Sequence, residues 1–241
     1  MSFAYPTVTS VMWHPPPELR NRWLKQYGRD RFLFEEALYA QSFPLWWAFP
    51  ESKTKRWKWL GEAFPPKVAE YLFSRHLKGG GYVLLDLFAG IGGWSLGAVL
   101  SGRFRKVVMV EVNPEKCGYL EANFSKLGAD YEVLCMDATK LEGYTADVVV
   151  SSPPCEDLTV LKHFSFNETN AGTIPLTVFT INFVEKVRPI ISFYENVYRT
   201  NLMKLLKTFG WETQRFDMSS IIPQKRVRLL ATKRMYNAKL I

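Results

Sequence analysis

Cys155 directly follows Pro153-Pro154 at the end of the apolar run 147–151, downstream of the glycine-rich stretch Asp86-Leu-Phe-Ala-Gly-Ile-Gly-Gly93. The thiolate is the reactive form of cysteine. A sulfur on a rigid turn beside a cofactor loop is therefore set for nucleophilic attack, whereas a core cysteine needs no such setting. Isolated, the thiol would more often be ordinary core; with the loop, it points to group transfer through a covalent intermediate. Near the C-terminus Gln224, Arg226 and Arg228 alternate, which on a strand puts all three on one face and favours a shared site.

The glycine-rich stretch leaves a strand-like run and enters a helix near Trp94–Leu100, so its backbone can approach a ligand at the carboxyl edge of a sheet. A glycine-rich loop alone is a weak signal, and a nucleotide-binding dehydrogenase competes for it. Glu111 ends the next strand, where a carboxylate can accept from both ribose hydroxyls of an adenosine ligand. Asp137 ends the third and can meet an adenine amino group. Each acid alone reads as a solvated loop charge, but successive strand ends carrying Asp86, Glu111 and Asp137 outweigh that reading. Nothing here matches the lysine-containing phosphate loop.

Elements that would position these groups follow an α/β rhythm. β-rich runs at Tyr82–Asp86, Lys106–Glu111, Tyr131–Met136, Asp147–Ser151 and Ile190–Tyr194 alternate with stretches at helical spacing, such as Pro114–Leu127 and Leu176–Val187. Crossovers of that kind join parallel strands. Trp211–Asp217 and Val227–Thr232, separated by a turn-rich segment, read as a closing antiparallel pair, giving a mostly parallel sheet of about seven strands. Residues 1–80 differ, being rich in tryptophan and proline, with helices expected at Phe34–Ala40 and at Pro66–Leu77, the latter started by Pro65-Pro66. Gly79-Gly80-Gly81 reads as a hinge between this appendage and the sheet. The expected division is an N-terminal segment, 1–80, packed on a catalytic domain, 81–241.

With 241 residues and 47% hydrophobic content the chain can bury one sizeable core, and no apolar run is long enough to span a bilayer. The opening residues lack the features of a secretory signal, so a soluble cytoplasmic protein is expected. Cys117, Cys135 and Cys155 show neither a paired framework nor metal-ligand spacing, which argues against disulfides and structural zinc. A net charge of +8 suits a polyanionic partner, though a solvated basic surface explains it as well. Lys53, Lys55, Arg56 and Lys58 interleaved with Trp57 and Trp59 read equally as a stacking surface for bases or as an ordinary segment.

Four stretches in sequence order now carry a resemblance. Asp86-Leu-Phe-Ala-Gly-Ile-Gly-Gly-Trp-Ser-Leu-Gly97, Pro153-Pro-Cys155, Glu195-Asn-Val197 and Gln224-Lys-Arg-Val-Arg228 are similar to motifs I, IV, VI and VIII of the DNA (cytosine-5)-methyltransferases. The resemblance implies a Rossmann-like fold that binds S-adenosylmethionine and methylates carbon 5 of cytosine. It implies Cys155 as the nucleophile at carbon 6, Glu195 on the exocyclic amine and ring nitrogen 3, Arg226 on the ring carbonyl, and Arg228 steadying the site near the thiol. For the donor it implies Phe88 on the adenine, Glu111 on the ribose, Asp137 on the amino group, and Pro154 with Leu176 on the opposite wall. Asp86, Ala89, Gly90, Gly92, Gly93, Val112 and Ala138 complete the expected donor contacts. The target cytosine would have to be flipped out of the duplex at a cost of about a few kcal/mol. Glu156, Leu158-Thr159 and Glu62 depart from the family's usual glutamine, Phe-Ser and asparagine.

Residues 31–44 resemble motif IX, and Ser52–Lys55 leading into Leu60–Ala69 resembles motif X. In the family those motifs close the protein, whereas here they precede motif I, which implies a circular permutation. Tyr5–Thr9 resembles only the tail of a target recognition domain. The expected partners are therefore DNA and a second polypeptide carrying that domain. RNA cytosine-5 methylation and a non-catalytic nucleic-acid-binding or activating subunit are the alternatives.

Overall fold

The structure, a computed structural model, describes residues 5–8, 17–155 and 173–235. Four helices come first: α1 (Pro17–Tyr27), α2 (Phe34–Ala40), α3 (Lys53–Glu62) and α4 (Pro66–His76). Alternating strands and helices follow: β1 (Tyr82–Asp86), α5 (Gly93–Ser101), β2 (Phe104–Glu111), α6 (Pro114–Phe124), β3 (Tyr131–Cys135), β4 (Val148–Ser151), α7 (Thr173–Val187), β5 (Ile191–Asn196) and α8 (Thr200–Thr208). The hairpin strands β6 (Glu212–Asp217) and β7 (Val227–Arg234) end the described chain.

The strands form one seven-stranded sheet in the order β3-β2-β1-β4-β5-β7-β6. β1 pairs in parallel with both β2 and β4, and β7 inserts antiparallel between β5 and β6. The fold is Rossmann-like α/β with a mostly parallel sheet, as expected. The chain proceeds outward in one direction from β1 through β2 to β3 and in the other from β4 to β5. Such a reversal leaves a crevice at the carboxyl ends of the strands flanking it.

Because helices cover both faces, the central stretches of the inner strands are apolar and their polar residues fall mostly at the ends. Leu84, Val148, Val150, Ile191 and Phe193 face a core shared with α2 to α5, while Leu85, Val149 and Tyr194 face a second core under α7 and α8. The first core is continuous from Trp23 and Phe34 through Phe64 and Phe73 to Trp94 and the sheet. Close approach of α4 to α5 depends on glycine: a Cβ at Gly97 would lie 2.5 Å from the Pro66 carbonyl oxygen. The 79–81 turn is tight, with Gly79 and Gly81 at φ of 75° and 84°, but it joins two parts of one core and is not a hinge.

Two further expectations are corrected. Trp57 and Trp59 are 2% and 6% exposed. Residues 53–62 are a helix, so these rings turn inward against Phe34 and Tyr119 and offer no open stacking surface. Cys117 and Cys135 are paired as a disulfide, with Cα atoms 5.8 Å apart. Crossover packing of α6 over β2 and β3 brings together two cysteines whose separation in sequence carries no disulfide signal. No helix among the described residues is long and apolar enough to cross a membrane.

Candidate active site

The crevice between the β1 and β4 ends opens into a cleft of about 560 Å³. Its floor is the loop from β1 to α5, where Gly90 and Gly92 take φ of 58° and 85°, values that glycine adopts without steric cost. The Gly90 N–H donates to Glu111 Oε2 (2.9 Å) and the Asn113 N–H donates to Oε1 (2.9 Å). Two backbone donors thus aim the Glu111 carboxylate, and each oxygen keeps capacity for a further hydrogen bond. Asn113 also caps α6, its Oδ1 accepting from the N–H groups of Glu115 and Lys116 at 2.9 and 3.2 Å.

Phe88, Ala89, Gly90, Gly93, Glu111, Val112, Asp137, Ala138, Pro154 and Leu176 all line this cleft. Asp137 Oδ1 accepts from both the backbone and hydroxyl of Thr139, holding the carboxyl below its ordinary range and therefore ionised at neutral pH. Apolar walls, an aromatic ring, and two oriented carboxylates suit a nucleoside carrying hydroxyl and amino donors. The loop offers no cation for a phosphate. On these grounds the residues present fit S-adenosylmethionine, with Glu111 and Asp137 for the ribose and the adenine amino group and Phe88 for the ring.

Two expected donor contacts lie elsewhere. Asp86 is fully buried, its Oδ2 accepting from Ser95 Oγ (2.8 Å) and its Oδ1 without a partner. Burial, with a contribution from Glu111, pushes its carboxyl up to about 7. It anchors the start of α5 to β1 and does not line the cleft. Gly92 faces α6, where a Cβ would clash with the Phe124 ring (2.7 Å).

The other half of the cleft holds Cys155, Glu195, Arg226 and Arg228. Cys155 is exposed and unpaired in any disulfide. Partial burial and then the Glu195 charge push its thiol up, partly offset by Arg228. Glu195 is 5% exposed at the end of β5 and pairs with Arg228, Nε to Oε1 at 3.3 Å. Next to it, Asn196 Nδ2 donates to the Pro153 carbonyl (3.0 Å), tying the end of β5 to the Pro-Pro-Cys turn. Two hydroxyl pairs, Ser151 with Thr180 and Thr177 with Tyr194, each 2.8 Å apart, hold α7 against the same strand ends.

Arg226 departs from its expected role. It is 1% exposed, and its two Nη atoms donate to the Gly61 and Ala63 carbonyls at 3.1–3.2 Å. Burial and the neighbouring Arg228 lower its pKa to about 9. Its donors meet backbone oxygens of the N-terminal segment, leaving Arg228 as the guanidinium beside Glu195. Gln224 is fully buried and outside the cleft, because its side chain turns toward Gln41.

Several residues not among the expected donor contacts also line the cleft. Lys58, Trp59, Glu62 and Phe64 come from α3 and the turn after it, and Lys116 from α6. Glu62 lies between Lys58 (3.6 Å) and Lys116 (3.5 Å). The motif X resemblance pointed to Glu62 and Phe64, and the aromatic-basic pattern to Lys58 and Trp59. Trp94 Nε1 donates to Ser152 Oγ (2.9 Å) and its ring stacks on Phe64 at 3.8 Å, joining the loop, the β4 end and the N-terminal segment. Glu156 and Leu158-Thr159 lie outside the described residues.

A family model of C-5 cytosine-specific DNA methylases matches residues 82–217, more than half of the chain. The chain belongs to this family. The family's methyl donor is S-adenosylmethionine. Among curated relatives, the type II methyltransferase M1.HphI of Haemophilus parahaemolyticus is 29% identical over 142 residues, covering 55% of this chain and 37% of that protein. The DNA (cytosine-5-)-methyltransferase M.ApeKI of Aeropyrum pernix is 35% identical over 98 residues, 34% of this chain and 21% of the relative. The chain thus spans well under half the length of these relatives. A candidate RNA methyltransferase from Pyrococcus horikoshii has the same fold, with a TM-score of 0.54 at 15% identity over 86% of this chain and 100% of that one.

Proposed function

We propose that this chain transfers a methyl group to carbon 5 of cytosine in DNA through a covalent adduct at Cys155. The observation that carries this reading is the sharing of one cleft by Cys155, the Glu195–Arg228 pair and the Glu111 loop. When bound, S-adenosylmethionine supplies a methyl group on a sulfonium and leaves as a neutral thioether.

Carbon 5 of cytosine is a poor nucleophile. Cys155 corrects this by forming a bond from its thiolate to carbon 6, which places electron density on carbon 5. Glu195, on the exocyclic amine and ring nitrogen 3, favours the protonated form of that ring as negative charge builds during attack. Arg228, close enough to Glu195 to share the same ring, takes the contact to the ring carbonyl in place of Arg226. After methylation, loss of the carbon 5 proton and expulsion of the Cys155 thiolate restore the aromatic ring and the free enzyme. The +8 charge favours phosphate contacts that offset part of the cost of flipping the base.

We also read the chain as circularly permuted. Residues 5–8 run beside 223–225, with the Tyr5 N–H donating to the Pro223 carbonyl and the Lys225 N–H to the Tyr5 carbonyl, both at 2.8 Å. The motif IX and X stretches lie against motifs VIII and I through Gln41–Gln224 and Phe64–Trp94. These contacts support a family core opened at a different point. A second polypeptide would then supply target recognition.

Methyl transfer from labelled S-adenosylmethionine to DNA and to RNA, with and without chains encoded nearby, tests the proposal. DNA should be labelled by the wild type and not by Cys155→Ala, which should keep donor binding. Duplex bearing 5-fluorocytosine should trap the adduct, since it has no carbon 5 proton to lose. Undiminished turnover in Cys155→Ala would rule out the mechanism, and labelling of RNA alone would reassign the substrate.

A further inference from the structure

The turn that closes α3 forms one wall of the cleft, through Gly61, Glu62, Ala63 and Phe64. Helix ends leave carbonyls without intrahelical partners, and α3 has no basic residue in its last turn to meet them. Two buried side chains remote from the turn in sequence, Gln41 and Arg226, do so instead, and a third, Gln224, braces the first. Gln41 Nε2 donates to the Leu60 carbonyl (2.7 Å) and the Ala63 carbonyl (3.2 Å). Gln224 Nε2 donates to Gln41 Oε1 (3.1 Å), fixing which way that amide points. Arg226 Nη2 bridges the Gly61 and Ala63 carbonyls. Gln41 and Gln224 are fully buried and Arg226 is 1% exposed, so water offers none of these groups an alternative partner.

What the turn carries gives the network a functional consequence. Phe64 stacks on Trp94 with the rings 2° from parallel, and its backbone abuts Gly93 at the donor loop. Glu62 projects between Lys58 and Lys116 on the rim of the same cleft. Movement of the turn therefore acts first on the donor loop through Phe64, whereas the Glu195–Arg228 pair is held on β5 and β7.

We propose that Gln41, Gln224 and Arg226 are positioning residues for the donor: they hold the Gly61–Phe64 wall in place and so set donor affinity, not the rate of the chemical step. The inference rests on the cleft being the S-adenosylmethionine site. Gln41→Met keeps the side-chain volume and removes both donors to the turn. Its affinity for S-adenosylhomocysteine should fall about tenfold, the scale of one to two net hydrogen bonds. Gln224→Met should weaken binding about threefold, and the double variant should bind no more weakly than Gln41→Met alone, since both act through one amide.

The assays are calorimetric titration with S-adenosylhomocysteine and single-turnover methylation at saturating donor. The rate at saturation should stay within about twofold of wild type, because a lost wall contact weakens binding and leaves the chemical step alone. Unchanged affinity in Gln41→Met, or a fall in the saturated rate with affinity intact, would overturn the proposal. Gln224→Met carries the same test should Gln41→Met not fold. A wild-type chain that fails to bind S-adenosylhomocysteine refutes the functional reading itself. Wild-type binding with no loss in either variant refutes only the network.

Discussion

Gly93→Ala puts the contact between the N-terminal segment and the donor loop to a quantitative test. A Cβ at residue 93 would lie 2.9 Å from the carbonyl carbon of Phe64, inside the contact shell of its carbonyl oxygen. Relief of the carbon contact alone, at a resting separation of about 3.5–4.0 Å, takes roughly 0.6–1 Å, and the carbonyl oxygen, nearer still, makes Phe64 retreat further. Phe64 cannot retreat without sliding off Trp94, against which it stacks at 3.8 Å. Overpacking of this kind costs about 1–3 kcal/mol and loss of the ring pair about 0.5–1.5 kcal/mol, offset by about 0.5–1 kcal/mol from replacing glycine in a helix. The net expectation is a loss of about 0.5–4 kcal/mol centred near 2 kcal/mol, the centre corresponding to roughly 4–8 °C in Tm for a chain of this size.

Gly118→Ala is the control. Gly118 lies within α6 with nothing inside 4 Å of an added Cβ, so the same substitution should there stabilise by about 0.5–1 kcal/mol. Urea unfolding followed by tryptophan fluorescence compares the two variants directly, and titration with S-adenosylhomocysteine should show weakened binding only in Gly93→Ala. Wild-type stability in Gly93→Ala would mean that the Phe64 turn does not sit on the donor loop, and the packing argument would fall.

Asp86→Asn should stabilise the chain at alkaline pH. The folded-state pKa of about 7 exceeds the 3.8 of an ordinary aspartate, so the folded chain binds the proton more tightly than the unfolded one. The resulting penalty is absent below about pH 4, grows between pH 4 and 7, and is complete above that, at roughly 4 kcal/mol from the size of the shift. Denaturation at pH 5 and pH 8 should show a loss of stability in wild type that Asp86→Asn largely removes; a destabilised variant at pH 8 would mean the ionised carboxylate is required. The Cys155 thiol, raised by burial and Glu195, should alkylate with iodoacetamide at a rate that climbs with pH past the ordinary thiol range. Glu195→Gln should move that profile to lower pH, and an unmoved profile would separate the two groups.

The strands and most crossover helices were legible because they depend on local periodicity. Tyr82–Asp86 and Phe34–Ala40 match their expected bounds, and the remaining strands differ by a residue or two at their ends. Helices α1, α3 and α8 had no expectation attached to them. In α3 the tryptophans alternate with cations, a pattern that resembles an exposed aromatic-basic surface until the helix turns the rings into the core. Glu111 and Asp137 were legible as strand-end acids because a doubly wound sheet gathers strand ends along one edge.

What the chain determined by itself is the order of its elements and the kinds of group that reach the sheet edge, since both follow from side-chain type and short-range spacing. Partner choice among those groups was settled by tertiary packing. Arg226 and Arg228 are two residues apart on one edge, yet one serves the carbonyls of Gly61 and Ala63 and the other serves Glu195. Asp86 and Glu111 are both strand-end acids, but Asp86 is walled in beneath α5 while Glu111 opens on the cleft. Cys117 and Cys135 meet only because α6 folds back over β3. Each of these outcomes depends on which surfaces lose water when distant segments pack, and that information lies in no local stretch of sequence.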